Sequence, residues 1–99
     1  MKFIKGNLRE DLRTPFVAPL RYSVSVFDMR ALKEINGIAV SVDIGKGGMG
    51  ILTDVPLEEG HVLTFEDAIT MKDHIAKKAA IVKWTGKIDG QYRVGLQFV

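Results

Sequence analysis

The sequence predicts an all-β fold, a sandwich or a small barrel, and three observations carry that expectation. Apolar and polar residues alternate in about six short segments. Turn-forming residues separate those segments at spacings of about ten residues. The third observation is length, since 99 residues hold one hydrophobic core and no second. At that size a closed or nearly closed barrel is favoured, because closure removes strand edges that would otherwise pair with other chains.

The first strand is expected over residues 20–27, with Leu20, Tyr22, Val24 and Val26 on one side and Arg21, Ser23 and Ser25 on the other. Asn36-Gly37 supplies turn chemistry before a second strand over residues 38–44. There Ile38, Val40, Val42 and Ile44 form the apolar face, and Ala39, Ser41 and Asp43 form the opposite one. Asp43 therefore ends that strand on its polar side. Residues 50–53 make a short apolar strand after a glycine cluster, and residues 54–60, with Pro56 inside, make a loop before a strand over 61–65.

The last third predicts a hairpin around Asp89-Gly90. Ala80, Val82 and Trp84 alternate with Ile81, Lys83 and Thr85, and Tyr92, Val94, Leu96 and Phe98 alternate with Arg93, Gly95 and Gln97. Residues 66–79 are ambiguous, because Phe65, Ile69, Ala76 and Ala79 can also share a helical face with Thr64 or Asp67 near an N-cap. Loop and strand is the reading adopted. Nothing divides the chain, so residues 1–99 are expected to form one domain, with an arm over 1–15 and a barrel over 16–99.

Composition excludes several function classes. Fourteen basic against 12 acidic side chains give a formal net charge of +2, which is no nucleic-acid signature. Lys2, Lys5, Arg9 and Arg13 nevertheless crowd the first 13 residues against Glu10 and Asp11, a local positive feature that can meet an anion. With no cysteine there is no disulfide, thiolate ligand or thiol nucleophile. His61 and His74 have no cysteine partners, so no metal site is expected. Ser23, Ser25 and Ser41 fit no nucleophile pattern, and no enzyme is expected. The first residues lack the apolar stretch of a secretory signal, and no run approaches the roughly 20 apolar residues that span a bilayer. A cytoplasmic protein is the expectation.

Gly45-Lys46-Gly47-Gly48-Met49-Gly50 matches G-x-G-x-x-G, but a strand and a proline loop follow it where a dinucleotide site needs a helix N-terminus. The glycines predict a tight turn or bulge with left-handed backbone. They also leave N–H groups without side-chain cover, a concave surface that can approach a phosphate or a flat base, with Lys46 on its rim. Trp84 shares a face with Ala80 and Val82, which predicts a core or barrel-mouth position; stacking on a ligand base is the alternative. Pro15 disfavours helix at Thr14, so Arg9 and Arg13 are expected on an extended or turning arm.

Together these residues resemble the PilZ domain, the bacterial receptor module for cyclic di-GMP. Its R-x-x-x-R signature is similar to Arg9-Glu10-Asp11-Leu12-Arg13. Its D/N-x-S-x-x-G signature is similar to Asp43-Ile44-Gly45-Lys46-Gly47-Gly48, with glycine in place of serine. The closing strands 81–84 and 92–98 also resemble the family, and the likeness covers residues 8–98.

The resemblance implies a six-stranded antiparallel barrel whose arginine arm closes over ligand held on the outer surface, with no cofactor besides that ligand. It implies that Arg9 and Arg13 pair with phosphates or with guanine O6 and N7. Asp43 then receives guanine N1–H and N2–H, and Gly48 lets the backbone come close. Gly45 lacks the serine hydroxyl, a loss of about 1 kcal/mol that weakens binding without abolishing it. Lys46, Gly47 and Trp84 are secondary candidates near the site. Leu8 before Arg9 resembles members that take a single ligand. The family's C-terminal helix is absent from this sequence, which leaves an apolar patch for a downstream protein partner. The alternative is an interaction adaptor that no longer binds the nucleotide. A barrel binding single-stranded nucleic acid would want exposed aromatics, and only 8% of residues are aromatic.

Overall fold

The computed structural model describes residues 14–70 and 76–99, and these form strands without any helix. In chain order they are β1 Thr14–Pro15, β2 Pro19–Asp28, β3 Ala31–Ile44, β4 Gly48–Thr53, β5 Val62–Ile69, β6 Lys77–Ile88 and β7 Gln91–Phe98. The sheet runs β3-β2-β5-β6-β7-β4 and closes because β4 also pairs with β3. Every pairing is antiparallel. The result is the expected six-stranded antiparallel barrel, with β1 added to β3 beside β2. No helix among the described residues is long and apolar enough to cross a membrane.

The alternation in β2 holds as read: Tyr22 and Val24 are buried, while Arg21 and Ser25 are exposed. Met49, Ile51, Leu63, Phe65 and Leu96 fill the rest of the barrel axis. The hairpin at Asp89-Gly90 also forms, with φ of 46° and 82°, as a two-residue type I′ loop requires. The other two-residue loop is Met29-Arg30, with φ of 48° and 75°, closed by the Asp28–Ala31 pair. The turn expected at Asn36-Gly37 is absent, since both residues lie inside β3. Gly37 instead sits opposite Tyr22, and a Cβ there would run into the phenol ring. That glycine makes room for an aromatic ring.

Two bulges change which residues face the core. In β3, Ser41 pairs with Ile51 and Asp43 with Gly50, which leaves Val42 as the extra residue. Before the bulge the inward set is the odd one: Ala39 and Ser41 are 2% and 0% exposed, while Ile38 and Val40 are 59% and 41%. After it Ile44 turns inward, at 6%. The expected apolar face over 38–42 is therefore inverted, because the hairpin register with β2 sets the parity of β3 by placing Leu20 opposite Ala39. In β6, Val82 pairs with Leu96 and Trp84 with Gly95, so Lys83 is the extra residue. Trp84 is thereby moved out of the core face it shares with Ala80 and Val82 in the sequence pattern.

Residues 66–79 contain the end of β5 and the start of β6, and residues 71–75 lie outside the described part. β3, at 14 residues, spans about 46 Å of extended chain and accounts for most of the 49 Å long axis. Its pairing with β4 begins only at Val40, and β2 pairs with β5 only over Tyr22–Val24. The far end of the β2–β3 hairpin thus projects beyond the barrel.

Candidate functional site

The bulges align one row of residues across the outer wall. Pro15 of β1 pairs with Asp43 of β3, Asp43 with Gly50 of β4, Gly50 with Gly95 of β7, and Gly95 with Trp84 of β6. Three strand spacings, about 14 Å along the sheet, separate Asp43 from Trp84. The two positions between them carry no side chain and are buried by their neighbours, the Asp43 carboxylate beside Gly50 and the Trp84 indole over Gly95.

Close approach excludes a side chain at Gly95 and crowds one at Gly50. A Cβ on Gly95 would occupy the space of the Trp84 indole, which lies over that backbone with its side chain 46% exposed as a residue. A Cβ on Gly50 would stand 3.1 Å from Asp43 Oδ1, where the Gly50 N–H donates a 3.1 Å hydrogen bond. Asp43 Oδ2 accepts from Arg93 Nη2 at 3.3 Å. These side chains are 23% and 35% exposed, so the ion pair is screened and contributes about 1 kcal/mol at most. The Arg93 Nε is buried and finds no hydrogen-bond partner among the described residues.

Ser41 holds the segment after β1 against β3. Fully buried, it accepts from the Ala18 N–H at 2.9 Å and donates to the Phe16 carbonyl at 2.6 Å. Backbone bonds from Phe16 N–H to the Val42 carbonyl, 3.0 Å, and from Ser41 N–H to the Ala18 carbonyl, 2.8 Å, flank it. Thr14, the residue after Arg13, consequently pairs with Ile44, the residue before Gly45. Arg9 and Arg13, and the expected arm up to residue 13, lie outside the described residues; Thr14 and Pro15 are strand.

The glycine turn joins β3 to β4 and brings Asp43, Gly45, Lys46, Gly47 and Gly48 together, with Lys46 exposed and Gly45 and Gly48 buried. Its backbone is not left-handed: among the described glycines only Gly60 and Gly90 have positive φ. Nor is the Gly45 amide open to a phosphate, because it donates to the Gly48 carbonyl at 2.8 Å. The Gly47 carbonyl accepts from Phe98 N–H at 2.9 Å, which ties the turn to the end of β7.

No protein-family model matches the chain. No curated protein matches it in sequence. Among solved structures it is similar to MrkH of K. pneumonia in complex with c-di-GMP, at 19% identity and a TM-score of 0.47, over 92% of this chain and 44% of that one. The chain thus spans less than half the length of that structure's chain.

Arg93, Gly95 and Ser41 belong to the row or to its support and are not among the site residues expected from the sequence, and Gly50 is marked there only as the last glycine of the cluster. Gly95 left a trace, since a glycine inside an alternating strand marks a close approach. A separate groove on the β3-β2-β5 wall is lined by Arg21, Ser23, Asn36, Thr64 and Glu66. It contains an exposed Arg21–Glu66 pair at 3.7 Å and none of the motif residues.

Proposed function

We propose that this domain is a non-enzymatic receptor of the bacterial cytoplasm that binds cyclic di-GMP on its outer wall. One observation supports this most: Thr14 and Pro15 pair with Ile44 and Asp43, so the chain leaving Arg13 joins the sheet beside the start of the glycine turn. Thr14, the residue that follows the first motif, is thus paired with the residue that precedes Gly45 of the second.

The ligand has two phosphodiester charges and two guanines. Arg9 and Arg13 pair their planar guanidinium groups with phosphate or with guanine O6 and N7. Asp43 receives guanine N1–H and N2–H on lone pairs of the carboxylate that Gly50 and Arg93 hold in place. The open face of Trp84 stacks a base, and Lys46 adds positive charge at the rim. Gly48 lets the backbone approach, and Gly47 keeps the turn narrow. Contact between the arm and ligand then presents a changed surface to a downstream protein partner.

Calorimetric titration with cyclic di-GMP, against GTP and GMP, tests the reading. Saturable one-to-one binding is expected, with Arg13→Ala at least tenfold weaker. A second reading, a barrel that binds protein and no longer the nucleotide, is favoured by Gly45, whose missing hydroxyl and committed amide both remove ligand contacts. Absence of heat from demonstrably folded protein selects it.

A further inference from the structure

The open edge of β3 has a self-complementary register. Ser41 turns its N–H towards the β2 side, and the two-residue loop closed by Asp28 and Ala31 sets the same parity along the hairpin. Odd residues of β3 therefore bond to β2, and Leu32, Glu34, Asn36 and Ile38 direct their N–H and C=O groups to the other side. β4 occupies that side only from Val40 to Ile44. Among the described residues no strand covers it over 32–38. Leu32, Ile35 and Ile38 are 71%, 41% and 59% exposed along the same stretch.

We propose that this edge is an interface between two copies of the chain, with β3 paired antiparallel to its equivalent about a two-fold axis at Ile35. That register places Leu32 opposite Ile38, Glu34 opposite Asn36 and Ile35 opposite itself. The exposed aliphatic side chains then cover one another, and residues 32–38 exchange backbone hydrogen bonds. Shifting two residues one way sets Glu34 against Glu34, a like-charge contact. Shifting two residues the other way sets Leu32 against Val40, whose outer side β4 already holds. Of these three registers, only the one centred on Ile35 avoids both conflicts. A partner of different sequence would have no reason to match this pattern, whereas a second copy matches it by symmetry.

The sequence has no cysteine, so Ile35→Cys introduces a unique thiol. In the proposed register position 35 is a non-hydrogen-bonded pair, with Cα atoms about 4.5 Å apart, close enough for a disulfide. Under mild oxidation Ile35→Cys is expected to form covalent dimer much faster than Val62→Cys, a site of similar exposure at 47% on β5. Sedimentation of the unmodified chain is expected to show dimer growing with concentration through the micromolar range. Asn36→Lys, which creates two Glu34–Lys pairs across the axis, should tighten association by about fivefold. A monomer throughout, equal oxidation of the two cysteine variants, or association that Asn36→Lys leaves unchanged or weakens would each overturn the proposal.

Discussion

Arg93 on β7 reaches across β4 to Asp43 on β3, a 3.3 Å ion pair that skips a whole strand because Gly50 between them has no side chain. The carboxylate is thereby fixed from two sides before any ligand arrives, by a guanidinium and by the Gly50 N–H. The energetic value is modest, since both side chains keep part of their exposure. Its geometric value is larger, because a carboxylate with fixed lone pairs presents a defined acceptor to planar donors.

Arg93→Ala should therefore cost less than about 1 kcal/mol in urea unfolding, and the cost should shrink in high salt. A double-mutant cycle with Asp43→Ala isolates the pair, with a coupling of about 0.5 kcal/mol expected. Full additivity of the two substitutions would show that the contact carries no free energy in solution.

Gly95→Ala tests the other end of the row. The new methyl group would occupy the position of the indole, so Trp84 must leave its seat. Trp84 is the single tryptophan, and its emission should move to the red while the barrel's circular dichroism stays unchanged. Affinity for cyclic di-GMP should fall about tenfold, the value of one base-stacking contact. An unshifted emission maximum would mean that the ring does not rest on Gly95.

Ser41→Ala removes an acceptor from Ala18 N–H and a donor from the Phe16 carbonyl in a buried setting. The expected cost is about 1 kcal/mol, because the partners left unsatisfied are only partly buried. Hydrogen exchange should show residues 14–18 deprotected more than β6 or β7. Uniform deprotection of the whole barrel would instead assign Ser41 to global packing.

The parts of this fold that the sequence revealed are those with one unbroken parity. β2 and β7 alternate from end to end, and Asp89-Gly90 announces its own turn. β3 and β6 each contain an extra residue, Val42 or Lys83, and no residue type marks a bulge of this kind. Reading one parity through β3 put Ile38 and Val40 inside, and reading one through β6 put Trp84 there. Asp43 was legible as a motif residue, whereas Arg93 was not, since its role depends on which strands are neighbours. The loop at Met29-Arg30 was hidden for a different reason: neither residue has the composition that positive φ normally demands.

Tyr22 carries the pH prediction. Its hydroxyl is buried against Gly37 without a hydrogen-bond partner among the described residues. Burial raises its pKa above the ordinary 10.0, and the negative charge of Asp54 adds to the rise. The folded state therefore keeps the phenol proton at pH values where the unfolded chain has begun to lose it, so stability falls as pH climbs past about 10. Tyr22→Phe keeps the ring over Gly37 and removes the ionisable group. At neutral pH it should be neutral or more stable by about 1 kcal/mol, since no bond is lost and an unpaired hydroxyl is removed. Above about pH 10 the advantage of the variant should widen steadily. Urea unfolding of both proteins across that range measures the difference, and a constant gap would show that the hydroxyl is hydrated rather than sealed in the core.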